Sequence, residues 1–133
     1  MGAIHRSFGA AVLAASVALA ACGGSGAAPA QTLPAPADPA TPKLEITAAN
    51  IAFAQTQAGV AANTAFILVL ENRDTVPHNV SISRDAAGSA RAFEGAVFSG
   101  PGSRWYAVPA LAPGTYVFVC DVHPNMTGRL VAS

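Results

Sequence analysis

Charged residues are scarce in this sequence. Seven Lys or Arg and seven Asp or Glu make up 11 % of its 133 residues, and their charges cancel to a formal net charge of zero. Domains that bind nucleic acid carry an excess of basic residues, so we expect no nucleic-acid partner. The balance implies no strongly acidic docking surface either. The length suits one domain rather than two.

Long apolar runs are also missing. The main one, residues 8–21, is shorter than the roughly 20 apolar residues that a membrane-spanning helix needs. Arg6 precedes it, and a positive charge before a short apolar run is typical of an export signal. The run ends in Leu19-Ala20-Ala21-Cys22, which resembles the bacterial lipobox, in which the cysteine is acylated and becomes the new N-terminus.

The N-terminal third of the chain is therefore expected to lie outside the fold. We predict that residues 1–21 are a lipoprotein signal peptide and that lipidated Cys22 anchors the exported protein to a membrane, in the periplasm or at the cell surface. An ordinary signal peptide, with Cys22 incidental, is the alternative. Residues 22–43 are almost entirely Ala, Pro, Gly and small polar residues. Such a segment has nothing to bury, which predicts a disordered tether.

The remaining residues, 44–133, show the pattern of a β-sheet domain. Short runs with β-type composition alternate with turn signals, and no window of helical length has a clean apolar period of 3.6. This pattern predicts an all-β sandwich. Strands are predicted at residues 44–47, 51–53, 64–71, 78–83, 104–108, 115–120 and 129–132.

Two of these strands alternate clearly. In residues 78–83 apolar and polar residues take turns, and His78 stands on the apolar face. In residues 116–120 the two aromatic residues share their face with Cys120. Because side chains alternate across a strand, His78 and Cys120 are both predicted to point into the interior near strand ends.

Soft metal-ligating residues are few after the signal, and they are gathered together. His78, Cys120, His123 and Met126 are the only His, Cys and Met residues beyond Cys22. Singly, each would be ordinary core, but three of the four fall within seven residues. One thiolate, two imidazoles and a weak axial thioether suit copper that cycles between two oxidation states. Structural zinc sites recruit more thiolates and have no use for Met.

The motif Cys-x-x-His-x-x-Met, after Gly-Thr-Tyr-x-Phe-x and with an upstream His-Asn pair, resembles the cupredoxins. Its short spacing is closest to the amicyanins, since plastocyanin-like proteins have longer ligand loops. The resemblance implies a Greek-key β-sandwich or barrel with one type 1 copper ion. It further implies that His78, Cys120 and His123 are equatorial ligands and that Met126 is axial.

The resemblance also implies a surrounding shell. Asn79 matches the asparagine that pins the ligand loop by side-chain hydrogen bonds, and Pro124 follows the second histidine. Asp121 is a departure, because Ser or Thr commonly follows the copper cysteine. The partner of Asn79 is therefore open at this point, although an aspartate oxygen could also accept its hydrogen bond.

The implied function is the transfer of single electrons between redox partners outside the cytoplasm, by a monomer that is not an enzyme. The alternative is a copper-handling or copper-delivery lipoprotein with the same fold. The electron donor and acceptor are expected to dock near His123, on an apolar rim that includes Pro124. Arg84 and Arg91, which follow the His78 strand, are both predicted to have little influence on electron exchange.

Overall fold

The computed structural model describes residues 32–33 and 40–133 of the chain. The predicted signal peptide, Cys22 and most of the predicted tether lie outside these residues. None of the described residues belongs to a helix that could span a membrane. The strands in the described part are β1 (Thr32–Leu33), β2 (Lys43–Ala49), β3 (Ala52–Phe53), β4 (Gln57–Val60), β5 (Phe66–Asn72), β6 (Pro77–His78), β7 (Ser81–Ser83), β8 (Arg91–Glu94), β9 (Phe98–Ser99), β10 (Gly102–Val108), β11 (Gly114–Val119) and β12 (Thr127–Ala132).

These strands form two five-stranded sheets. The first has the order β1-β10-β5-β2-β3, the second β4-β12-β11-β7-β8, and β6 pairs with β9 in a small separate ribbon. Most neighbours are antiparallel, but β2 runs parallel to β5 and β4 parallel to β12. The inner faces of both sheets meet in one buried apolar cluster. The predicted all-β sandwich is confirmed.

Strand β11 shows why these residues pack as they do. Tyr116, Phe118 and Cys120 are at most 2 % exposed and point inward, while the valines between them are half-buried. The ring of Phe118 lies directly over Gly128 of β12, where an added Cβ would clash with the ring. Glycine is needed there because the Phe118 ring occupies the space that a side chain would fill. The predicted inward orientation of Cys120 is confirmed.

The predicted strand 78–83 is not one strand. Its first residue belongs to β6, which pairs with β9, and its last three form β7, which lies between β11 and β8. His78 is fully buried as predicted. The polar residues of the other face, Asn79, Ser81 and Ser83, are also at most 2 % exposed. No buried side-chain nitrogen or oxygen in the described part lacks a hydrogen-bond partner, so this second buried face is polar but satisfied.

Four strands were not predicted, because they are short or weakly patterned. They are β1, β4, β8 and β9. Strand β1 lies inside the predicted tether, where Thr32 and Leu33 pair with Tyr106 and Trp105 of β10. Those two residues are therefore part of a sheet rather than of a disordered segment. Strand β2 also begins at Lys43, one residue before the predicted start of the domain.

Candidate metal centre

The four predicted ligands come from two places in the sandwich. His78 ends β6, while Cys120 directly follows β11 and begins the loop that leads to β12. That loop is closed by two backbone hydrogen bonds, from Cys120 N to Met126 O at 3.0 Å and from Met126 N to His123 O at 2.9 Å. The first of these bonds returns Met126 to the side of Cys120. The short loop thus brings a thiol, an imidazole and a thioether to the same end of the β11–β12 strand pair.

Three side-chain atoms converge in this region. The Sγ atom of Cys120 lies 3.7 Å from Nδ1 of His78 and 3.9 Å from Nδ1 of His123, and the two Nδ1 atoms are 3.2 Å apart. The point equidistant from these three atoms is about 2.1 Å from each. Metal–nitrogen bonds of about 2.0–2.1 Å and metal–sulfur bonds of about 2.3 Å are typical of such ligands. The triangle therefore has the size that one transition-metal ion requires.

The donor types narrow the choice of ion. Cys120 is a free cysteine, 1 % exposed, and Met126 is 2 % exposed and belongs to the same buried cluster. His78, Cys120 and His123 are the one group of at least three such ligands that converges among the described residues. A single thiolate with two imidazoles and a neighbouring thioether suits copper better than zinc. The residues present therefore fit the predicted copper ion.

His78 is oriented by a carboxylate that the sequence did not reveal. Its Nε2 atom lies 2.9 Å from Oδ2 of Asp74. The same carboxylate accepts hydrogen bonds from the backbone N–H groups of Asn50, at Oδ1, and of Ile51, at Oδ2. Those backbone bonds, that of Ile51 first, hold the pKa of Asp74 below its ordinary value. An ionised carboxylate can only accept, so Nε2 of His78 carries the proton. The Nδ1 lone pair is left to face the centre.

The Cys120 side is held by the predicted asparagine. Asn79 is 1 % exposed, and its Nδ2 donates to Oδ2 of Asp121 at 2.7 Å and to the carbonyl of Gly95 at 2.9 Å. In return the backbone N–H of Asp121 donates to Oδ1 of Asn79 at 2.8 Å. The question left open by the sequence is thereby answered. Aspartate takes the place of the hydroxyl residue and bonds Asn79 twice.

The negative charge of Asp121 is balanced by an arginine. Arg91 donates from Nη1 to Oδ2 of Asp121 at 3.1 Å, and its Nη2 lies 3.0 Å from Oδ1. The hydroxyl of Ser81 donates to Oδ2 at 2.5 Å. Burial would raise the pKa of Asp121, but the bonds from Ser81, Asn79 and Arg91 together hold it below its ordinary value. Asp121 therefore stays ionised although it is partly buried.

The remaining predicted residues lie at the surface of the centre. His123 is half-buried, with its ring centroid 4.8 Å from that of His78. Pro124 and Val122, its neighbours in the chain, are both exposed. No described hydrogen bond assigns Pro124 a supporting role, so that part of the predicted shell stays a prediction.

Comparison with known proteins identifies the family of this chain. The sequence model described as a cupredoxin-like domain matches residues 11–132. The chain belongs to the cupredoxin-like family. Amicyanin-alpha of Methylorubrum extorquens is 30 % identical to it over 119 residues, which cover 90 % of this chain and 96 % of the relative. The predicted resemblance to the cupredoxins, and to the amicyanins among them, is confirmed.

Solved cupredoxin structures have the same fold. Auracyanin from Roseiflexus castenholzii superposes with a TM-score of 0.61 at 20 % identity, covering 68 % of this chain and 96 % of that one. Auracyanin A of Chloroflexus aurantiacus, described as a blue copper protein, gives 0.60 at 22 %, over 68 % of this chain and 98 % of its own. Amicyanin from Paracoccus versutus gives 0.57 at 20 %, over 77 % and 92 %. These superpositions show a shared fold.

Proposed function

We propose that this cupredoxin is a type 1 blue copper protein that transfers single electrons, in which His78, Cys120, His123 and Met126 would hold the copper ion. The observation that carries the proposal is the triangle of three donor atoms, none more than 3.9 Å from another, at a buried site. Copper bound there supplies a one-electron couple, since thiolate and thioether favour Cu(I) while imidazole accepts both oxidation states.

The protein's contribution is a rigid and dry setting for the ligands. His78, Cys120 and Met126 are 0 %, 1 % and 2 % exposed, so water has little access to them. Asp74 and Asn79 hold the two sides of the centre by hydrogen bonds at 2.9 Å or less. Ligands fixed in this way need little rearrangement when the electron arrives or leaves, which favours fast transfer.

The surface beside His123 suits the docking of a redox partner. The exposed large apolar residues of the described part are Ile51, Val97 and Val122. Ile51 donates to the carboxylate that holds His78, Val97 precedes the strand that pairs with His78, and Val122 precedes His123. An apolar rim suits brief encounters that bury less than about 1,200 Å². With zero net charge, long-range electrostatic steering should be slight.

The proposed location follows from the sequence alone. Residues 1–21 as signal peptide, lipidated Cys22 and the tether of residues 22–43 would present the domain outside the cytoplasm, held to a membrane. A lipidated monomer on a tether can reach a donor and an acceptor in turn. We propose no nucleic-acid partner and no enzymatic activity for it.

Adding Cu(II) to the full-length protein tests the proposed function. The protein should become intensely blue through charge transfer from the Cys120 thiolate, and it should show a reversible one-electron couple with slow loss of copper to a chelator. Cys120→Ala should abolish the colour. Cys22→Ala is the matched control and should keep it, because Cys22 lies outside the described domain. A Cys120→Ala variant with an unchanged spectrum would remove the ligand assignment, and rapid copper loss from the wild type would favour copper delivery.

A further inference from the structure

The residue after Cys120 carries a charge that is only partly shielded from water. The side chain of Asp121 is 27 % exposed, and one of its oxygens accepts hydrogen bonds from Asn79, Ser81 and Arg91. A cysteine that binds a metal does so as the thiolate. Two negative charges on consecutive residues would repel each other unless one of them is compensated.

Arg91 supplies that compensation from the edge of the second sheet. It begins β8, where it pairs with Ser83 of β7. Its guanidinium crosses the end of β7 and contacts both oxygens of Asp121, at 3.1 and 3.0 Å, and also lies 3.2 Å from Oγ of Ser81. A planar guanidinium that meets a carboxylate with two nitrogens gives a strong and directional pair.

The same guanidinium is itself held in place. Its Nη1 lies 3.3 Å from Oε2 of Glu94, three residues further along β8, and its side chain is 29 % exposed. An isolated surface ion pair contributes about 0–1 kcal/mol and fixes little. This pair differs, because Asp121 is also bonded to the buried Asn79 and Ser81 and its backbone continues directly from Cys120.

Arg84, the other arginine close to β7, has different contacts. It lies one residue after β7, where its guanidinium stacks 4.8 Å from the ring of Tyr116 and donates to the tyrosine hydroxyl at 2.9 Å. Neither contact involves a ligand or Asp121. The sequence predicted little influence for both arginines, but the structure separates them.

We propose that Arg91 is a positioning residue of the metal centre, which holds the Cys120 end of the ligand loop through Asp121 and cancels the negative charge beside the thiolate. This inference rests on the proposed copper site. An unbalanced charge next to the thiolate would stabilise the more positive oxidised ion. Loss of Arg91 should therefore make the site harder to reduce, even if all four ligands remain.

Reduction potentials of full-length variants test the charge relation. Arg91→Gln should lower the ratio of reduced to oxidised protein about tenfold at a given applied potential, which is about 59 mV for a one-electron couple. Asp121→Asn should shift the ratio in the opposite direction, and the double variant should return close to the wild type. Arg91→Lys should keep most of the wild-type potential, because it keeps the charge. Arg84→Gln is the control and should leave the reduction potential unchanged.

The metal-free protein provides a second readout. In a double-mutant cycle of Arg91→Gln and Asp121→Asn, the unfolding equilibrium should show a coupling of about fivefold or more. This cycle does not depend on copper, so a protein that never turns blue would refute the proposed function while the cycle still tests the pair.

Two results would overturn the inference. One is an Arg91→Gln potential equal to that of Arg84→Gln. The other is additive behaviour in the metal-free cycle. If Arg91→Gln does not fold, the double variant is measured instead, because it restores the charge balance. A double variant that shows the same shift in potential as Asp121→Asn alone would exclude a role for Arg91.

Discussion

Two aspartates lie next to different predicted ligands and are held in different ways. Asp74 supports His78, and its charge is met by the backbone N–H groups of Asn50 and Ile51. Asp121 follows Cys120, and its charge is met by Arg91 with help from Ser81. Backbone N–H groups meet the carboxylate that contacts the imidazole ring of His78. A guanidinium meets the carboxylate that follows Cys120.

The difference shows which contacts affect the metal directly. Asp74 touches a ligand ring, so its removal should change how well the ring is presented. Asp121 touches no ligand side chain and acts through the backbone and through its charge. Removal of Asp74 should therefore lower the affinity for copper. Removal of Asp121 should instead change the stability of the fold and the reduction potential.

The largest effect is expected from Asp74→Ala. This change leaves the Nε2–H group of His78, which is 0 % exposed, without its acceptor, and the ring is no longer oriented. Loss of such a supporting partner typically weakens metal affinity about 10–100-fold. Competition for copper between the protein and a chelator of known affinity measures this change.

Asp85→Ala is the matched control for that experiment. Asp85 also accepts backbone N–H bonds, from Ser89 and Ala90, but no described hydrogen bond of its carboxylate reaches a predicted ligand. Its removal should leave copper affinity within about twofold of the wild type. Equal losses in both variants would mean that the Asp74 effect is general destabilisation and that the comparison of the two sides fails.

A smaller difference, in the stability of the fold, is expected between alanine variants of two serines on β7. Ser81 donates to the Asp121 carboxylate at 2.5 Å, whereas Ser83 donates to the backbone carbonyl of Asp85 at 2.6 Å. Both are at most 2 % exposed. Hydrogen bonds to charged groups contribute about 1.5–3 kcal/mol and neutral ones about 0.5–1.5 kcal/mol. Urea unfolding of the metal-free protein should show that Ser81→Ala costs more, and the reverse order would contradict a strong Asp121 network.

The smallest effect concerns acid and a carboxylate away from the centre. Hydrogen bonds from the hydroxyl and the backbone N–H of Ser89 hold the pKa of Asp85 below its ordinary value of 3.8. A pKa that is lower in the folded state adds stability above pH 3.8, and this stability is lost as the pH falls through the folded value. Asp85→Asn should therefore lower the melting temperature at neutral pH, with a difference that narrows below pH 3.8. A difference that is constant with pH would show that the charge contributes nothing.

Some of this protein could be predicted from local sequence. Cys120, His123 and Met126 lie so close in the chain that a short loop must bring them together, and strand alternation places Cys120 on the face of Phe118. These predictions succeed because covalent spacing and the two-residue period of a strand are local properties. His78 is buried as predicted, but alternation does not explain it, because the predicted strand is divided between β6 and β7 and both of its faces are buried.

The supporting residues depended on the order of the strands in the sheets. Asp74 belongs to a segment in which the sequence indicates only a turn. Arg91 lies 30 residues before Asp121 in the chain. The pairing of β7 with both β8 and β11 brings Arg91 and Asp121 to the same end of the sheet. It also buries the polar face of Ser81, which alternation alone would leave in solvent. The sequence by itself identified the four side chains that we propose as metal ligands. The tertiary structure decided which charges surround them, because a charge pair forms between strands that become neighbours only on folding.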